Sequence, residues 1–382
     1  MNDNQAQAID RTHGTEEVRY GIVGTGYFGL ALGRGLTRLP GARITRVYDP
    51  EHADAAAQEF GAVATASADE LCASPDVDAV IVASPNWAHR EAVILAAQAG
   101  KPVFSEKPIA LRYGDCSAMV DAAAEAGALF MAGHVMNFMN GVRLAKRLIA
   151  DGTLGKVVFC RAVRNGWEEP QPSISWKKKR ALSGGHLYHH IHELDVVQFI
   201  MGPAKTATMV GGNVAHRGEQ FGDEDDMLLI TLELGDDTFA SLEYGSAFRW
   251  PEHHLLIQGT LGAVMIDMQQ AGVTVRIGDT VEKHLLHRNA EEDAQRTAIY
   301  ASSETDGAIM YGNPSTVPPL WLTGIVEEEM AYFHGLLQGA APEPEFAALT
   351  DGTAARAAIA TADALSLSLA ENRKVEVAEI TG

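Results

Sequence analysis

The segment SGGHLYHHIHELD at residues 183–195 holds the densest group of side chains that could move protons. Its four histidines are His186, His189, His190 and His192. Imidazole titrates closer to neutral pH than any other unperturbed side chain, so it suits general acid–base chemistry. This segment is therefore the first candidate for a catalytic site.

The spacing of apolar residues predicts that this segment belongs to one helix, near residues 186–201. At about 100° per residue, four apolar side chains form one stripe along it: Leu187, Ile191, Leu194 and Met201. Tyr188, His192 and Asp195 fall in a neighbouring wedge roughly 60° wide. A histidine held in the core by backbone contacts is the alternative, but the adjacent tyrosine and aspartate favour a catalytic role.

The crowded histidines also raise the question of a metal site. His186 lies three and four residues before His189 and His190, so these side chains can share one helical face. No glutamate or cysteine completes an established metal motif. We therefore predict no metal, and we assign the histidines other than His192 to substrate hydrogen bonding or packing.

The segment YGIVGTGYFGLALGRGL at residues 20–36 places Gly24, Gly26 and Gly29 in the GxGxxG register. It follows an apolar run and opens a helix-like stretch, and Asp49 comes 20 residues after Gly29, as in a dinucleotide-binding fingerprint. The three glycines permit a tight turn, close approach to a pyrophosphate, and packing of the helix on the strand. A carboxylate at Asp49 accepts ribose hydroxyls and repels a 2′-phosphate, so the sequence predicts NAD rather than NADP.

A run of four cations, Lys177, Lys178, Lys179 and Arg180, directly follows Trp176. The chain as a whole is acidic, with 30 Lys and Arg against 50 Asp and Glu and a net charge of −20. A charge run is commonly a solvated surface, and that interpretation stays open. The alternative is that one or two of these side chains bind an anionic substituent such as carboxylate, sulfonate or phosphate.

The candidate residues must be positioned by secondary-structure elements, and the sequence predicts two different arrangements of these elements along the chain. Up to about residue 140, short apolar runs alternate with helix-like stretches, which predicts βαβ units and a parallel sheet. Beyond it, β-rich runs follow one another with few helices between them, at 156–164, 206–214, 227–234, 238–248, 253–267 and 272–286. The predicted fold class is therefore α/β, with an N-terminal doubly wound Rossmann sheet and a C-terminal α+β domain whose open sheet is mainly antiparallel.

The same patterns predict a flexible tail and two domains, over residues 1–17, 18–140 and 141–382. Segment 301–320 is rich in Gly, Ser and Pro, which predicts a long loop. Residues 322–338 and 348–371 are helical in composition. The second of these helices is a candidate for packing back across the domain boundary.

Composition narrows the class of function. The negative net charge opposes binding to nucleic acid or to anionic membranes. No apolar run reaches the roughly 20 residues that a membrane span needs, and the first residues lack the apolar core of a secretory signal. The separated Cys72, Cys116 and Cys160 indicate neither a disulfide framework nor a metal knuckle. We expect a cytoplasmic protein without nucleic-acid or membrane partners.

Further stretches complete a family pattern: VASPNWAH at 82–89, VFSEKP at 103–108, GTLG at 152–155 and IQGTLGAVMID at 257–267. With the glycine turn and the histidine-rich segment, they resemble the glucose-fructose oxidoreductase, inositol dehydrogenase and rhizopine-catabolism family (Gfo/Idh/MocA). The resemblance covers essentially the whole ordered chain. It implies an NAD-binding Rossmann domain, a substrate-binding and oligomerisation domain, and a site between them where nicotinamide meets a sugar or cyclitol.

The resemblance also implies roles for individual residues. Lys107, in the EKP motif, would orient the reacting hydroxyl and offset its developing negative charge, and His192 would be the acid/base. The implied cofactor contacts are Gly24, Gly26, Tyr27, Phe28, Gly29, Asp49, Ser84, Pro85, Asn86, His89, Glu106 and Lys107. The candidate substrate contacts, which include the basic run, are Trp87, His134, Asn137, Trp176, Lys177, Lys179, Arg180, His189 and Asp195.

One position departs from the family pattern. Many family dehydrogenases have an aspartate four residues before the catalytic histidine, where this chain has Tyr188. A phenol with a pKa of about 10 is a poorer base than a carboxylate unless a nearby lysine lowers that pKa. Tyr188 stays a catalytic candidate, but its presence weakens the case for simple dehydrogenation.

Three functions follow from these observations. The leading hypothesis is an NAD-dependent oxidoreductase that transfers hydride at a secondary hydroxyl of a sugar, sugar acid or cyclitol, anionic ones included. The alternative is an NAD-dependent glycosidase of the same fold, which oxidises a hydroxyl transiently, eliminates the aglycone, adds water and re-reduces, on an anionic sugar such as a sulfosugar. The third, an NAD sensor without turnover, is disfavoured by Lys107 and His192. The family resemblance also implies a homodimer or homotetramer.

Overall fold

The computed structural model of the protein describes residues 17–302 and 317–382. The predicted tail over 1–17 lies outside the described residues except for Glu17, and most of the predicted loop over 301–320 also lies outside them. Within the described ranges the chain forms two sheets, of six and nine strands. None of the helices in those ranges is both long and apolar enough to cross a membrane.

The first sheet consists of six parallel strands: β1 (Val18–Val23), β2 (Ala42–Tyr48), β3 (Val63–Ala64), β4 (Ala79–Val82), β5 (Val103–Glu106) and β6 (Phe130–Gly133). Their order across the sheet is β3-β2-β1-β4-β5-β6, the doubly wound order of dinucleotide-binding folds. Five helices connect them: α1 (Tyr27–Leu36), α2 (Ala53–Phe60), α3 (Ala68–Ala73), α4 (His89–Gln98) and α5 (Tyr113–Glu125). The predicted Rossmann sheet is confirmed.

Two central strands of this sheet are buried along their whole length because helices cover both faces. Every residue of β4 and β5 is buried. Since all six strands are parallel, their carboxyl ends meet at one edge, where ligands bind in open α/β sheets. The turn at 24–29, the segment 84–89, Lys107 and His134 all follow strands at that edge.

The second sheet has nine strands: β7 (Val157–Trp167), β8 (Thr206–Gly212), β9 (Met227–Glu233), β10 (Phe239–Gly245), β11 (Ala247–Gly259), β12 (Gly262–Asp267), β13 (Gly272–Ile277), β14 (Thr280–Leu285) and β15 (Val375–Glu376). Their order is β14-β13-β12-β11-β7-β10-β9-β8-β15. Among the described strands of this second sheet, only the neighbours β7 and β10 are parallel. The predicted open, mainly antiparallel sheet is confirmed. Two predicted single strands, 253–267 and 272–286, are divided by turns at 260–261 and 278–279.

The remaining helices are α6 (Asn140–Ala150), α7 (Arg180–Ser183), α8 (His186–His189), α9 (His192–Met201), α10 (Ala290–Ala301), α11 (Leu320–Leu337), α12 (Ala347–Thr350), α13 (Thr353–Glu371) and α14 (Ala378–Thr381). Short 3₁₀ turns cover 86–88, 135–138, 176–178 and 344–346. Helix α13 packs on β8 and α9, and α9 also contacts β7 and β10. The helical segment α10 carried no sequence prediction.

Two C-terminal helices contact the first sheet's helices as well as the second domain. Helix α11 packs along α1, and the His334 ring nitrogen Nδ1 lies 2.7 Å from the Tyr20 hydroxyl of β1. Helix α13 contacts α5, where the Tyr113 amide donates to Asp363 at 2.8 Å. These contacts join the C-terminal helices to the elements of the parallel sheet.

Candidate active site

The glycine turn has the geometry that a dinucleotide needs. Gly24 has φ +92°, and a Cβ there would lie 2.3 Å from the Ser84 amide nitrogen, so only glycine fits. A Cβ on Gly29 would lie 1.9 Å from the Gly24 carbonyl oxygen, so helix α1 packs directly on the turn. A Cβ on Gly26 would meet nothing within 4 Å. The open space at Gly26, beside the N-terminus of α1, fits a pyrophosphate.

Asp49 lies beside this turn at the end of β2. Its carboxylate accepts backbone N–H bonds from Thr25 at 2.8 Å, Glu51 at 2.9 Å and His52 at 3.0 Å. An ionised carboxylate offers about four acceptor positions, so capacity remains for a ribose hydroxyl. These backbone bonds fix Asp49 where the predicted ribose contact requires it.

The aromatic pair after the turn is partly in the core. Tyr27 is 4% exposed, with its ring centroid 5.3 Å from that of Phe28. Because the Tyr27 ring is packed, its predicted cofactor contact would be made by the backbone N–H at the start of α1, and that contact stays a prediction. Phe28 is partly exposed and remains a candidate contact.

His89 was also expected to contact the cofactor, and the structure gives it another function. Its ring is 1% exposed, with Nε2 at 2.7 Å from the Ser84 carbonyl oxygen and Nδ1 at 3.0 Å from that of Pro108. The ring therefore joins the loop after β4 to the loop after β5. In the first loop Asn86 donates to the Ser183 carbonyl oxygen at 3.2 Å, which ties Pro85 and Asn86 to helix α7.

Lys107 follows β5 at the same edge and reaches the histidine-rich segment. Its Nζ donates to the His189 carbonyl oxygen at 3.4 Å. Burial lowers the pKa of Lys107 to about 8, opposed by Glu106 and reinforced by the charges of Arg164 and Lys177. Burial raises the pKa of the Glu106 carboxyl, whose Oε2 accepts the Lys107 amide at 3.1 Å. An ammonium with so low a pKa can both polarise an oxygen and exchange a proton near neutral pH.

The predicted helix over 186–201 is wrong, because it is broken between α8 and α9. His190 has φ −102° and ψ +38°, which is not helical. The break separates Tyr188 from the face that carries His192. The Tyr188 hydroxyl instead donates to Asp363 on α13, and burial raises its pKa well above the usual value. The structure thus corrects the catalytic assignment of Tyr188, whose buried hydroxyl anchors α8 to α13.

The broken helix brings imidazoles together around Lys107. The ring centroids of His186 and His190 are 4.3 Å apart, and those of His189 and His190 are 4.7 Å apart and nearly parallel. Burial, reinforced by the charge of Lys107, lowers the pKa values of His189 and His192 well below normal. Both rings are therefore neutral at physiological pH and can accept protons.

His134, Asn137 and Asp195 form a buried group next to this cluster. The His134 Nδ1 lies 3.2 Å from an Asp195 carboxyl oxygen, and both side chains are almost fully buried. Burial lowers the pKa of His134 to about 3 and raises that of Asp195 to about 8. At neutral pH this pair consists of uncharged partners. The structure brings these three predicted substrate residues together but leaves them no exposed surface to offer a substrate.

The basic run divides between ion pairs and the site. Lys178 pairs with Glu168 at 2.7 Å and Glu224 at 3.1 Å. Arg180 pairs with Asp225 at 2.7 Å, which corrects its assignment as a substrate contact.

Lys177 differs from both neighbours. Burial lowers its pKa, and its charge lowers the pKa values of both Lys107 and His189, so it lies near both. Lys179 is exposed and lines an open cavity of about 810 Å³, together with residues 171–174, 218–220, 222 and 223.

Trp87 and Trp176 are in contact with each other. Their ring centroids are 5.1 Å apart and the rings are perpendicular. Trp87 extends from the loop after β4 and Trp176 immediately precedes Lys177. Such an edge-to-face pair links the cofactor side of the cleft to the substrate side.

Sequence reasoning missed Arg164. It lies on β7, is 9% exposed, and is near enough to His190 and His192 for its charge to lower their pKa values. Its Nη1 lies 3.5 Å from Glu193, which also contacts His253 at 2.9 Å. One signal was present: Cys160 and Ala162 face the core, so strand alternation places Arg164 inward as well.

The described residues contain no group of three or more His, Cys, Asp or Glu side chains arranged to hold a metal ion. The histidine cluster stacks its rings against one another rather than directing their nitrogens to a common point.

Comparisons with known proteins agree with this geometry. Residues 18–134 match a model described as "Oxidoreductase family, NAD-binding Rossmann fold", and residues 146–377 match "Oxidoreductase family, C-terminal alpha/beta domain". A solved levoglucosan dehydrogenase in complex with NADH and levoglucosan shares the fold, with a TM-score of 0.76 at 21% identity, covering 95% of this chain and 100% of that one. The cofactor of this chain is NAD.

Several relatives are more similar in sequence. A 2,7-anhydro-N-acetylneuraminate hydratase of Mediterraneibacter gnavus is 56% identical over 366 residues, which is 96% of this chain and 98% of the relative. A hydratase of the same name from Escherichia coli is 50% identical, over 95% of this chain and 98% of the relative. A scyllo-inositol 2-dehydrogenase of Bacillus subtilis is 30% identical over 56% of this chain and 63% of the relative.

Proposed function

The chain belongs to the Gfo/Idh/MocA oxidoreductase family, and on that basis we propose that it is a hydratase of an anionic anhydro sugar. The substrate class is 2,7-anhydro-N-acetylneuraminate and its close analogues. The observation that carries this proposal is the 50–56% identity, over nearly the whole chain, to two hydratases of that name. The NAD-dependent glycosidase alternative thus becomes the better supported one, because an anhydro bridge is an internal glycosidic linkage.

The chemistry explains why adding water should need NAD. In such a sugar the bridging oxygen leaves C2, which has no acidic hydrogen beside it. NAD supplies reversible removal of hydride, and a carbonyl formed at C4 makes the hydrogens on C3 acidic. Loss of a C3 proton then expels the bridging oxygen, water adds at C2, and return of the hydride restores the C4 hydroxyl. Water is the only net reactant consumed.

Lys107 and His192 would serve the redox half of this cycle. The Lys107 ammonium is placed to hold the C4 oxygen and to offset its negative charge as the proton leaves. The neutral His192 ring accepts that proton, because burial and nearby positive charges keep the imidazole unprotonated beforehand.

The neighbouring histidines would serve the elimination half. His189 and His190 are neutral, stacked on one another, and joined to Lys107 through the His189 carbonyl. A second acid/base is what the elimination requires, because one group must take the C3 proton while another protonates the leaving oxygen. A simple dehydrogenase needs only one such group.

The positive charges of the site favour a carboxylate substrate. Arg164, Lys107 and Lys177 lie near the histidine cluster, where Glu106 and Glu193 partly balance them. Burial of these cations costs electrostatic free energy, and a substrate anion bound beside them would offset part of that cost. The acidic net charge of the chain therefore does not prevent anion binding at this point.

A net sugar or cyclitol dehydrogenase is the second candidate. Lys107 and His192 suffice for it, and the scyllo-inositol 2-dehydrogenase relative shares part of the chain. An NAD sensor without turnover receives no support, because the named relatives are enzymes. A homo-oligomer and a cytoplasmic location stay predictions; the exposed Val210, Leu229 and Phe239 on the open sheet offer a face for self-association.

The test is an assay of 2,7-anhydro-N-acetylneuraminate with NAD at a small fraction of the sugar concentration. We expect many molecules of N-acetylneuraminate per NAD and no lasting absorbance from NADH. Neutral anhydro sugars such as levoglucosan are the control, and they should react far more slowly. Stoichiometric NADH without hydrated product would instead establish the dehydrogenase.

A further inference from the structure

Three buried carboxyl groups from separate elements lie near one another. Glu106 ends β5, Asp195 lies on α9 and Glu329 lies on α11, with exposed fractions of 6%, 3% and 0%. Glu329 is close enough to both of the others for their charges to raise its pKa. Neither of its carboxyl oxygens has a hydrogen-bond partner within residues 17–302 and 317–382. Buried polar atoms are nearly always paired, so Glu329 requires an explanation.

Two further buried polar side chains belong to the same region. His134 and Asn137 are 1% and 0% exposed, and both border Asp195, with His134 Nδ1 at 3.2 Å from its carboxyl. The His134 Nε2 has no hydrogen-bond partner in the part of the chain that is described. The cation facing Asp195 from α6 is Lys146, whose Nζ donates to the Glu345 carbonyl at 2.9 Å.

These groups have the composition of an internal water site. A buried water molecule needs two to four polar partners, and this region offers acids, an amide and an imidazole from four elements. Three carboxyls in one buried space cannot all ionise, because like charges close together repel. One or more of these carboxyls must therefore hold a proton. That proton lies close to the residues proposed for the redox step.

We propose that Glu106, Asp195, Glu329, His134 and Asn137 enclose internal water, and that this chamber stores the proton released when the substrate hydroxyl is oxidised. Burial raises the pKa of Asp195 to about 8 and raises that of Glu106, so the chamber exchanges protons near neutral pH. The inference rests on the proposed function, because a cycle that ends in re-reduction needs the same proton back.

Oxidation of the hydroxyl releases a hydride and a proton, which take different routes. The C–H bond breaks and its electron pair goes to NAD as hydride, while the O–H bond breaks and its proton goes to His192. From His192 the proton passes by way of His134 into the chamber. When hydride returns to carbon, one proton returns to oxygen, so the chamber gains nothing over a full cycle. Glu329 contacts no reacting atom. It acts as a positioning residue that helps to hold the proton in the chamber.

Infrared spectroscopy of the NAD-loaded protein tests the chamber without any substrate. A protonated buried carboxyl gives a C=O stretching band that shifts in D₂O. We expect this band at neutral pH, a loss of part of its intensity in Glu329→Gln, and an unchanged band in Glu125→Gln, at an exposed position on α5. A wild-type spectrum identical to that of Glu329→Gln would overturn the chamber. Asp195→Asn supplies the same comparison if Glu329→Gln folds poorly.

Thermal stability gives a second readout that is independent of activity. A carboxyl whose folded pKa is raised stabilises the fold only while it is protonated, so wild-type stability falls as pH rises above its unfolded pKa. A glutamine side chain does not titrate, so Glu329→Gln should gain stability relative to wild type as the pH is raised from about 5 to about 9. An equal difference at both pH values would contradict a protonated Glu329.

Enzyme kinetics then test whether the chamber stores the released proton. With hydratase substrate, Glu329→Gln should lower the rate about 100-fold, the lower end of the range for loss of general acid–base help, and should shift the pH–rate profile. Glu125→Gln, at the exposed position on α5, should change neither. Loss of part of the infrared band with an unchanged pH–rate profile would overturn the storage role. If wild type shows the band but no activity on any anhydro sugar, the proposed substrate fails while the protonated chamber stands.

Discussion

The two sides of the cleft are built from different material. The cofactor side is mainly backbone: a glycine turn, a helix N-terminus, and Asp49 held by three backbone amides. The substrate side is made of side chains: stacked histidines, Arg164 and Lys177, all largely buried. A site built from backbone groups depends mainly on chain geometry, whereas a site built from side chains determines which reaction is catalysed. Substitutions should therefore have different consequences on the two sides.

The largest expected effect is on catalysis at Lys107, where the two sides meet. Lys107→Met should lower hydratase kcat about 1,000-fold, because a charge on the developing oxyanion is lost. NAD affinity should change little, since the glycine turn and Asp49 are intact. Steady-state kinetics and a fluorescence titration with NAD measure the two quantities. Lys205→Met, at an exposed lysine, is the control. A Lys107→Met variant that kept its hydratase activity would show that Lys107 is not part of the catalytic site.

The second effect separates folding from binding within the glycine turn. Gly29→Ala should lower the free energy of unfolding by about 1–3 kcal/mol or more, because its Cβ would lie 1.9 Å from the Gly24 carbonyl oxygen. Gly26→Ala should fold normally, because its Cβ meets nothing within 4 Å, yet bind NAD more weakly. Thermal melts with and without NAD measure both, and equal stability losses would contradict this division.

The third effect compares adjacent lysines. Lys177→Met should raise KM for the carboxylate substrate about 10- to 100-fold, as expected for a lost bond between charged groups. Lys178→Met should instead lower stability, because Glu168 and the buried Glu224 lose their partner. If Lys178→Met raised KM and Lys177→Met did not, the assignment of the basic run would be reversed.

These contrasts show how much the sequence could predict. The glycine turn and Asp49 were predictable because backbone geometry fixes their spacing. The break at His190 was not, because the contact that holds α8 joins Tyr188 to Asp363, far away in sequence. Ion pairs of Lys178 and Arg180 likewise depend on residues 224 and 225, which no local pattern connects to them.

The smallest expected effect concerns cofactor choice. Asp49→Asn removes the charge that repels a 2′-phosphate but keeps an acceptor for the amides of the turn. We expect the preference for NAD over NADP to fall about tenfold, equivalent to about 1.4 kcal/mol. Cofactor titrations measure the ratio of dissociation constants. An unchanged ratio would mean that Asp49 only shapes the turn.

The central claim, that hydride leaves the sugar and returns to it, is tested most directly with an isotope. Substrate carrying deuterium on C4 is converted with unlabelled NAD, and the product is examined by mass spectrometry and NMR. We expect a primary kinetic isotope effect, deuterium retained at C4, and, in D₂O, solvent deuterium gained at C3. Hydration without an isotope effect and without exchange at C3 would show that the anhydro bridge opens by direct hydrolysis, without transfer of hydride.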